Sequence, residues 1–507
     1  MTQTWTRRQL MQRTGTAAVG LAGLGLAGCG TRVVAGPAAK SMRAGGVPLA
    51  RGLQHFVTRP DLHPPTVTIT RHDAASDPKY IFLAAPVSGP GHGGSMIVDR
   101  HGDLVWFGSD AGSRSKMDFR PQVYRGQTVL TWFEGTVLKA GYGEGVAVIA
   151  DSSYRTTHTI QAAKGLQVDL HEFLLTDQGT ALITAYRSAP ADLSALGGPR
   201  RGWVLSGVLQ EIDVATGKLV FEWDSLDHVA ITDSYLKFAG GTASKPFDYF
   251  HINSIAVAPD GDLLVSSRNT WAVYKIARPS GKIVWRLNGK KSSFKMGTGT
   301  HFYWQHHARP HGVSQSGATT LSLFDDGAAP SEEKQSRALV LDLDTSSMTA
   351  TLTKSFSHPG RTLLAEAMGS AQLLPDGRMF VGWGTEPYFS EFAPDGTLTL
   401  DGAITAGSPS YRAFTAGWTG RPAGSPAAAV RSRSGGATVF ASWNGATEVA
   451  SWAVLAGRTP GSLAHTATAA RSSFETGIAV RSAGPHYAVE ARNAKGHVLG
   501  RSAVVTR

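Results

Sequence analysis

Asp248–Arg268 reads DYFHINSIAVAPDGDLLVSSR. Two runs of alternating apolar residues flank Pro259-Asp260-Gly261, which is the pattern of a β-hairpin. A turn centred on Asp260-Gly261 puts Asn253 opposite Arg268, with His251 one same-face step further along. An imidazole, an amide and a guanidinium thus gather at one hairpin end. That set suits an anion and a proton.

Working outward, the hairpin is one copy of a repeated unit. Related text starts at His171 (HEFLLTDQGTALITAYR) and at Gly369 (GSAQLLPDGRMFVGWG). A second unit, a strand, a glycine turn and a strand ending in an aromatic, alternates with it, as at Ile97–Trp106, Ile212–Trp223 and Tyr274–Trp285. Two hairpins per repeat make a four-stranded blade, and about six blades fit between Lys79 and Asp401. The predicted fold is all-β: a six-bladed β-propeller over 56–407, followed by a small β-sandwich of the fibronectin III or immunoglobulin type over 408–507. His171 and Asn253 each stand eight residues before the turn glycine, Gly179 or Gly261, as Gly369 stands before Gly377. The position lines the channel and varies in chemistry from blade to blade. Trp443 and Tyr487 read as the sandwich core.

The 507 residues are 42% hydrophobic and 17% charged, an ordinary globular balance. The net charge of +11 is spread out, with no basic run and no basic-aromatic interleaving, so nucleic acid is not an expected partner. Arg7-Arg8 precede an uncharged Gly/Ala/Leu stretch ending in Leu26-Ala27-Gly28-Cys29. This pattern predicts a twin-arginine lipoprotein signal peptide over 1–28, lipidation at Cys29 and a tether over 29–55. The run from Gly15 to Gly28 is short for a membrane span. The protein is expected to be exported and anchored by lipid to the outer face of the cytoplasmic membrane. Cys29 is the one cysteine, which excludes an internal disulfide.

A second cluster reads Trp304-Gln305-His306-His307-Ala308-Arg309-Pro310-His311, followed by Leu321-Ser322-Leu323-Phe324-Asp325-Asp326-Gly327. Pro310 excludes a regular helix, so His307 and His311 are not a helical metal pair. The residues alone allow a histidine nucleophile, a metal-dependent hydrolase using Asp325 or Asp326, or a non-catalytic binding propeller.

Taken together, HEF at His171, FHINSI with its SSR end, GKIVWRLNGK from Gly281, QHHARPH and LFDDG resemble bacterial arylsulfotransferases of the six-bladed propeller type, from about Phe56 to Asp401. The resemblance implies transfer of a sulfuryl group from an aryl sulfate to a phenol without an activated nucleotide sulfate, and with no cofactor or metal. It implies His306 as the nucleophile that becomes sulfated, His251, Asn253 and Arg268 as sulfate contacts, and His171 as another channel histidine. His307 departs from the acidic residue that many relatives carry there, which leaves the choice of nucleophile between His306 and His307 open. Imidazole suits the part, since it is neutral at working pH and leaves readily. Arg268 and Asn253 would donate to the sulfuryl oxygens, and His251 or His171 would pass a proton to the departing aryloxide. Tyr249, Phe250, Phe302, Tyr303 and Trp304 are candidates to hold aryl rings.

Overall fold

The structure is a computed structural model that describes residues 52–73, 80–86, 92–110, 114–313, 317–405, 408–481 and 484–507. The predicted leader, Cys29 and most of the tether lie outside the described residues. No helix among the described residues is long and apolar enough to cross a membrane.

Six four-stranded antiparallel units form a β-propeller. The second blade comprises Ser115–Tyr124, Gln127–Val137, Gly143–Ala150 and Thr156–Ile160; the third comprises Phe173–Leu175, Thr180–Ala191, Gly202–Asp213 and Leu219–Asp224. The fourth holds Ile252–Val257, Leu263–Ser267, Ala272–Ile276 and Ile283–Leu287. The fifth holds His306–Val313, Thr319–Asp325, Arg337–Asp344 and Thr349–Phe356, and the sixth Ser370–Leu373, Met379–Gly382, Tyr388–Phe392 and Leu398–Ile404. The two sequence units are the first-second and third-fourth hairpins of a blade. Trp106, Trp223 and Trp285 close the third-fourth hairpins as buried side chains.

The first blade is made from both ends of the ring. Phe414–Ala416 pairs with Tyr80–Ala85, which continues to Gly94–Val98 and Leu104–Ser109. Val67–His72 also adds to the outer edge of the sixth blade against Leu398–Ile404. The ring therefore ends at Ala416, beyond Gly407. The closing strand is only three residues long and carries no turn signal of its own, so composition placed the end too early.

The opening hairpin has a different register from the expected one. Its loop is three residues long: Ala258 N–H donates to Asp262 O at 2.8 Å and Gly261, at φ +87°, donates to Ala258 O at 2.9 Å. Asn253 then falls in a bulge between Ile252 and Ser254. Arg268 N–H donates to His251 O at 2.9 Å, so Arg268 lies opposite His251 and not Asn253. Comparable register breaks occur in the first strands of the second blade, between Met117 and Arg120, and of the fifth, between His306 and Arg309. Asp118 and His307 sit in their breaks with φ of 51° and 55°, and His251, just before the break at Asn253, has φ of 55°. Each such non-glycine residue costs about 1–3 kcal/mol, and a bulge re-aims the side chains beside it.

Further along these strands the channel is filled by charge. Glu172 accepts from Arg120 at 2.5 Å, Arg309 at 2.5 Å and Arg412 at 3.3 Å, and Arg412 also pairs with Asp118 at 2.9 Å. These residues come from the second, third and fifth blades and from the segment leading into the closing strand.

The sandwich has one sheet of Ala427–Arg433, Gly436–Ser442 and Glu475–Arg481. It faces a second sheet of Ala464–Ala470, Ser451–Gly457, His486–Arg492 and Val498–Arg501, to which Val505–Thr506 also pairs. Val439, Trp452, Ile478, Tyr487 and Val489 fill the space between. Trp443, expected in that core, is only partly buried and donates from Nε1 to Gly424 O at 2.8 Å. Asn444 clamps the first blade, accepting from Phe107 N–H and donating to Phe107 O, both at 2.9 Å.

Candidate active site

Three histidines converge at the channel end of the inner strands, and each gives Nδ1 to a carboxylate. His171 meets Asp169 at 2.6 Å, His251 meets Asp248 at 2.5 Å and His306 meets Asp326 at 2.8 Å. The rings of His171 and His251 stand edge to face with centroids 4.8 Å apart. All three residues are 9% exposed or less. Asp169 and Asp248 precede their histidines by two and three residues. Asp326 reaches His306 from just past the neighbouring strand of the same blade. In this arrangement the carboxylate favours the Nδ1–H tautomer and leaves the lone pair on Nε2.

His306 is the most defined of the three. Met368, at φ 72°, points its backbone N–H at His306 Nε2 at 3.3 Å. A donor at Nε2 requires a lone pair there, so Nδ1 carries the hydrogen and Asp326 accepts it. Burial, followed by the positive field of Arg268, holds His306 well below the ordinary imidazole value. Burial pushes the Asp326 carboxyl up while Arg268 opposes the shift. The Met368 N–H at Nε2 identifies Asp326 as the acceptor of the Nδ1 hydrogen. His251 is lowered by burial against the pull of Asp248.

His307 points away. Its ring lies 5.5 Å from Phe414, its Nδ1 stands at the Ala371 backbone 3.2 Å from the carbonyl, and burial together with Arg309, Arg412 and Arg120 holds its pKa well below normal. His311 bonds Ser322 Oγ at 2.7 Å.

Arg268 lies 4.7 Å over the face of Trp304 and donates to Asn269 Oδ1 at 3.1 Å and Glu366 O at 2.9 Å. Asn253 makes a contact within the protein that the sequence does not announce. Its Nδ2 donates to Gln305 O at 2.6 Å, and Arg412 donates to its carbonyl at 2.9 Å. It thus braces the residue before His306. Of the aromatic candidates, Tyr249, Phe250 and Phe302 are fully buried between blades, Trp304 carries Arg268, and Tyr303 keeps part of its surface free. Tyr186 and Tyr142 stand nearer: Tyr186 is 5.9 Å from His251 and 4.8 Å from Tyr142, ring to ring. Sequence reasoning missed the roles of Asp169 and Asp248, though the short D-x-H and D-Y-F-H spacings carried the signal. It also missed the Met368 amide, which has no signal in side-chain chemistry. Among the described residues, no three His, Cys, Asp or Glu side chains are arranged to hold a metal ion.

No curated protein sequence matches the chain significantly. Among solved structures, it is similar to a protein of unknown function from Bacteroides caccae, at 11% identity over 67% of this chain and 99% of that one, with a TM-score of 0.40. It is also similar to a virginiamycin B lyase from Staphylococcus aureus (9% identity, 66% and 87% covered, TM-score 0.29) and to a calcium-binding protein, regucalcin, from Agrobacterium tumefaciens (14%, 57% and 77%, 0.29). The family model described as arylsulfotransferase (ASST) matches residues 120–405, more than half of the chain and five of the six blades. The chain belongs to the arylsulfotransferase family.

Proposed function

We propose that the protein moves a sulfuryl group from an aryl sulfate to a phenol through a sulfated His306, without a nucleotide sulfate. The observation that carries this reading is the two-sided definition of His306, Asp326 at Nδ1 and the Met368 amide at Nε2, beside Arg268. His306 Nε2 attacks sulfur and the bond from sulfur to the aryl oxygen breaks. Arg268 and the Met368 N–H stabilise the sulfuryl oxygens. The departing aryloxide takes a proton from whichever of His251 and His171 carries one on Nε2 as well as on Nδ1, and that ring is left neutral with its Nδ1–H still on Asp248 or Asp169. In the second half-reaction the acceptor phenol returns a proton to the same imidazole, attacks sulfur and frees His306. The two half-reactions together conserve the proton.

Mixing with 4-nitrophenyl sulfate alone, followed by intact-mass measurement, tests this. One sulfuryl group is gained and then lost when phenol is added. Nitrophenol release with no such adduct at any time overturns the sulfated intermediate.

Two further results follow. Asp326→Asn no longer enforces the Nδ1–H tautomer, and formation of the sulfated enzyme slows by about 10²–10⁴-fold with donor affinity little changed. Because burial holds His306 neutral, its sulfation by 4-nitrophenyl sulfate stays level as pH falls through about 6.5, where a free imidazole takes up a proton. A half-maximal rate near that pH in pre-steady-state measurements would count against the buried, neutral nucleophile.

The leader pattern supports a place as well. We propose export and lipid anchoring at Cys29, so Cys29→Ala releases the protein from the membrane fraction. Retention of that variant on membranes argues for another anchor.

A further inference from the structure

Four arginines reach the channel, and three of them are neutralised. Arg120, Arg309 and Arg412 each meet Glu172 or Asp118. Arg268 is different: among the described residues, no carboxylate lies within ion-pair distance of it. Its contacts are the π face of Trp304, the amide oxygen of Asn269 and the main-chain oxygen of Glu366. Of the carboxylates that act on it through space, Asp326 and Asp248 are taken up by His306 and His251, and the exposed Glu366 carboxylate acts more weakly than either.

The surroundings hold this arrangement rigidly. Trp304 is fully buried, its backbone is left-handed at φ 59°, and its Nε1 donates to Pro330 O at 3.0 Å. Trp271 stands edge-on against it at 5.1 Å and is itself stacked on Tyr235 at 3.7 Å. Asn269 is turned by its Nδ2, which donates to Asp248 O at 2.7 Å, so its oxygen faces the guanidinium. Arg268 is half-buried; a cation partly withdrawn from water without a counter-ion is destabilising, and a fold keeps one where a ligand supplies the charge.

We propose that Trp304 and Asn269 are positioning residues forming a charge-neutral cradle for Arg268, so that the singly charged sulfate ester of the donor is its only contact counter-ion. The aromatic face orients the guanidinium by cation–π attraction while leaving its unit charge for the ester. A carboxylate in either place would compete with the donor.

The inference rests on the sulfuryl-transfer reading for the identity of the donor, and its test separates the two. Trp304→Phe, Trp304→Leu and Asn269→Asp are prepared in the full chain. The donor half-reaction is read with 4-nitrophenyl sulfate, the acceptor half-reaction with phenol, and inorganic sulfate binding by calorimetry. Trp304→Phe keeps a π face and stays within about threefold of the parent, whereas Trp304→Leu loses about ten- to thirtyfold in donor kcat/KM. Asn269→Asp replaces a neutral acceptor by an internal counter-ion and loses at least about tenfold in donor kcat/KM and in sulfate affinity. The acceptor half-reaction moves by less than about twofold in all three, since phenol brings no charge to Arg268.

Equal losses in both half-reactions, or an Asn269→Asp protein that binds sulfate as well as the parent, overturn the proposal. If Trp304→Leu does not fold, Asn269→Asp decides alone. A parent protein that binds sulfate with this rank order among the variants but forms no adduct overturns the reaction and leaves the cradle standing.

Discussion

His306→Ala loses sulfuryl transfer by about four to six orders of magnitude, the scale seen when a covalent nucleophile is removed, and gains no mass from 4-nitrophenyl sulfate. The loss is this large because no other imidazole can take over. His171 and His251 are locked to Asp169 and Asp248, and their rings pack against each other. Among the described residues, neither has a backbone donor at Nε2 comparable to the Met368 amide on His306. The informative control is His307→Ala. Its imidazole faces Ala371, Phe414 and the arginines deeper in the channel. That variant therefore forms the sulfated enzyme and turns over within about tenfold of the parent, because truncating a residue that touches no reacting atom removes no transition-state interaction. Rapid mixing with mass detection distinguishes the two histidines in one experiment. An adduct on His306→Ala that is absent from His307→Ala would exchange their roles.

The second large effect is on stability. Among the described residues, Glu172→Gln leaves Arg120 and Arg412 with Asp118 as their one carboxylate partner and Arg309 with none. Breaking a buried ion pair from one side costs about 3–5 kcal/mol. Glu172 serves three guanidiniums and also accepts from Ile255 N–H at 3.3 Å, so the loss is expected at or above the upper end of that range. Burial alone would raise the Glu172 carboxyl, but Arg309, Arg412 and Arg120 overturn that and hold it far below the usual range. Asp118 is pushed the other way by burial, so Glu172 is the anion on which the cluster depends. A depressed folded-state value means that the stabilisation is complete above about pH 4.3, the unperturbed Glu value. It is lost only as pH falls through the depressed value. Urea midpoints of the parent should therefore not shift between about pH 7 and pH 5 on account of this cluster, while Glu172→Gln is less stable throughout. A Glu172→Gln midpoint equal to the parent's would show that the cluster adds no net stability.

Much of the ring was legible in the sequence because the turn glycines and the period-two runs recur. Gly179, Gly261 and Gly377 each end a blade's first turn at positive φ, of 78°, 87° and 82°. The register was not legible. A three-residue loop and a two-residue loop fit the same Pro-Asp-Gly, and the bulge at Asn253 has no marker in the local text. His306, His251, His171 and Arg268 do come together. Asn253 joins them as a brace because its amide was claimed by Gln305 O, which only the packing of the fourth blade on the fifth brings near. The Glu172 cluster was invisible for the same reason. Its members are scattered from position 118 to 412, and only closure of the ring puts them side by side.

The two-ended first blade has a consequence for synthesis. Tyr80–Ala85 is made early, yet its inner neighbour, Phe414–Ala416, leaves the ribosome more than three hundred residues later. Until then a hydrophobic strand presents an open edge to whatever comes near. The last step of folding pairs segments at opposite ends of the domain, the kind of contact that slows folding most. Chains ending anywhere before Ala416 lack the inner strand that would shield this edge, so nascent and prematurely terminated products should be the species that chaperones hold and proteases remove.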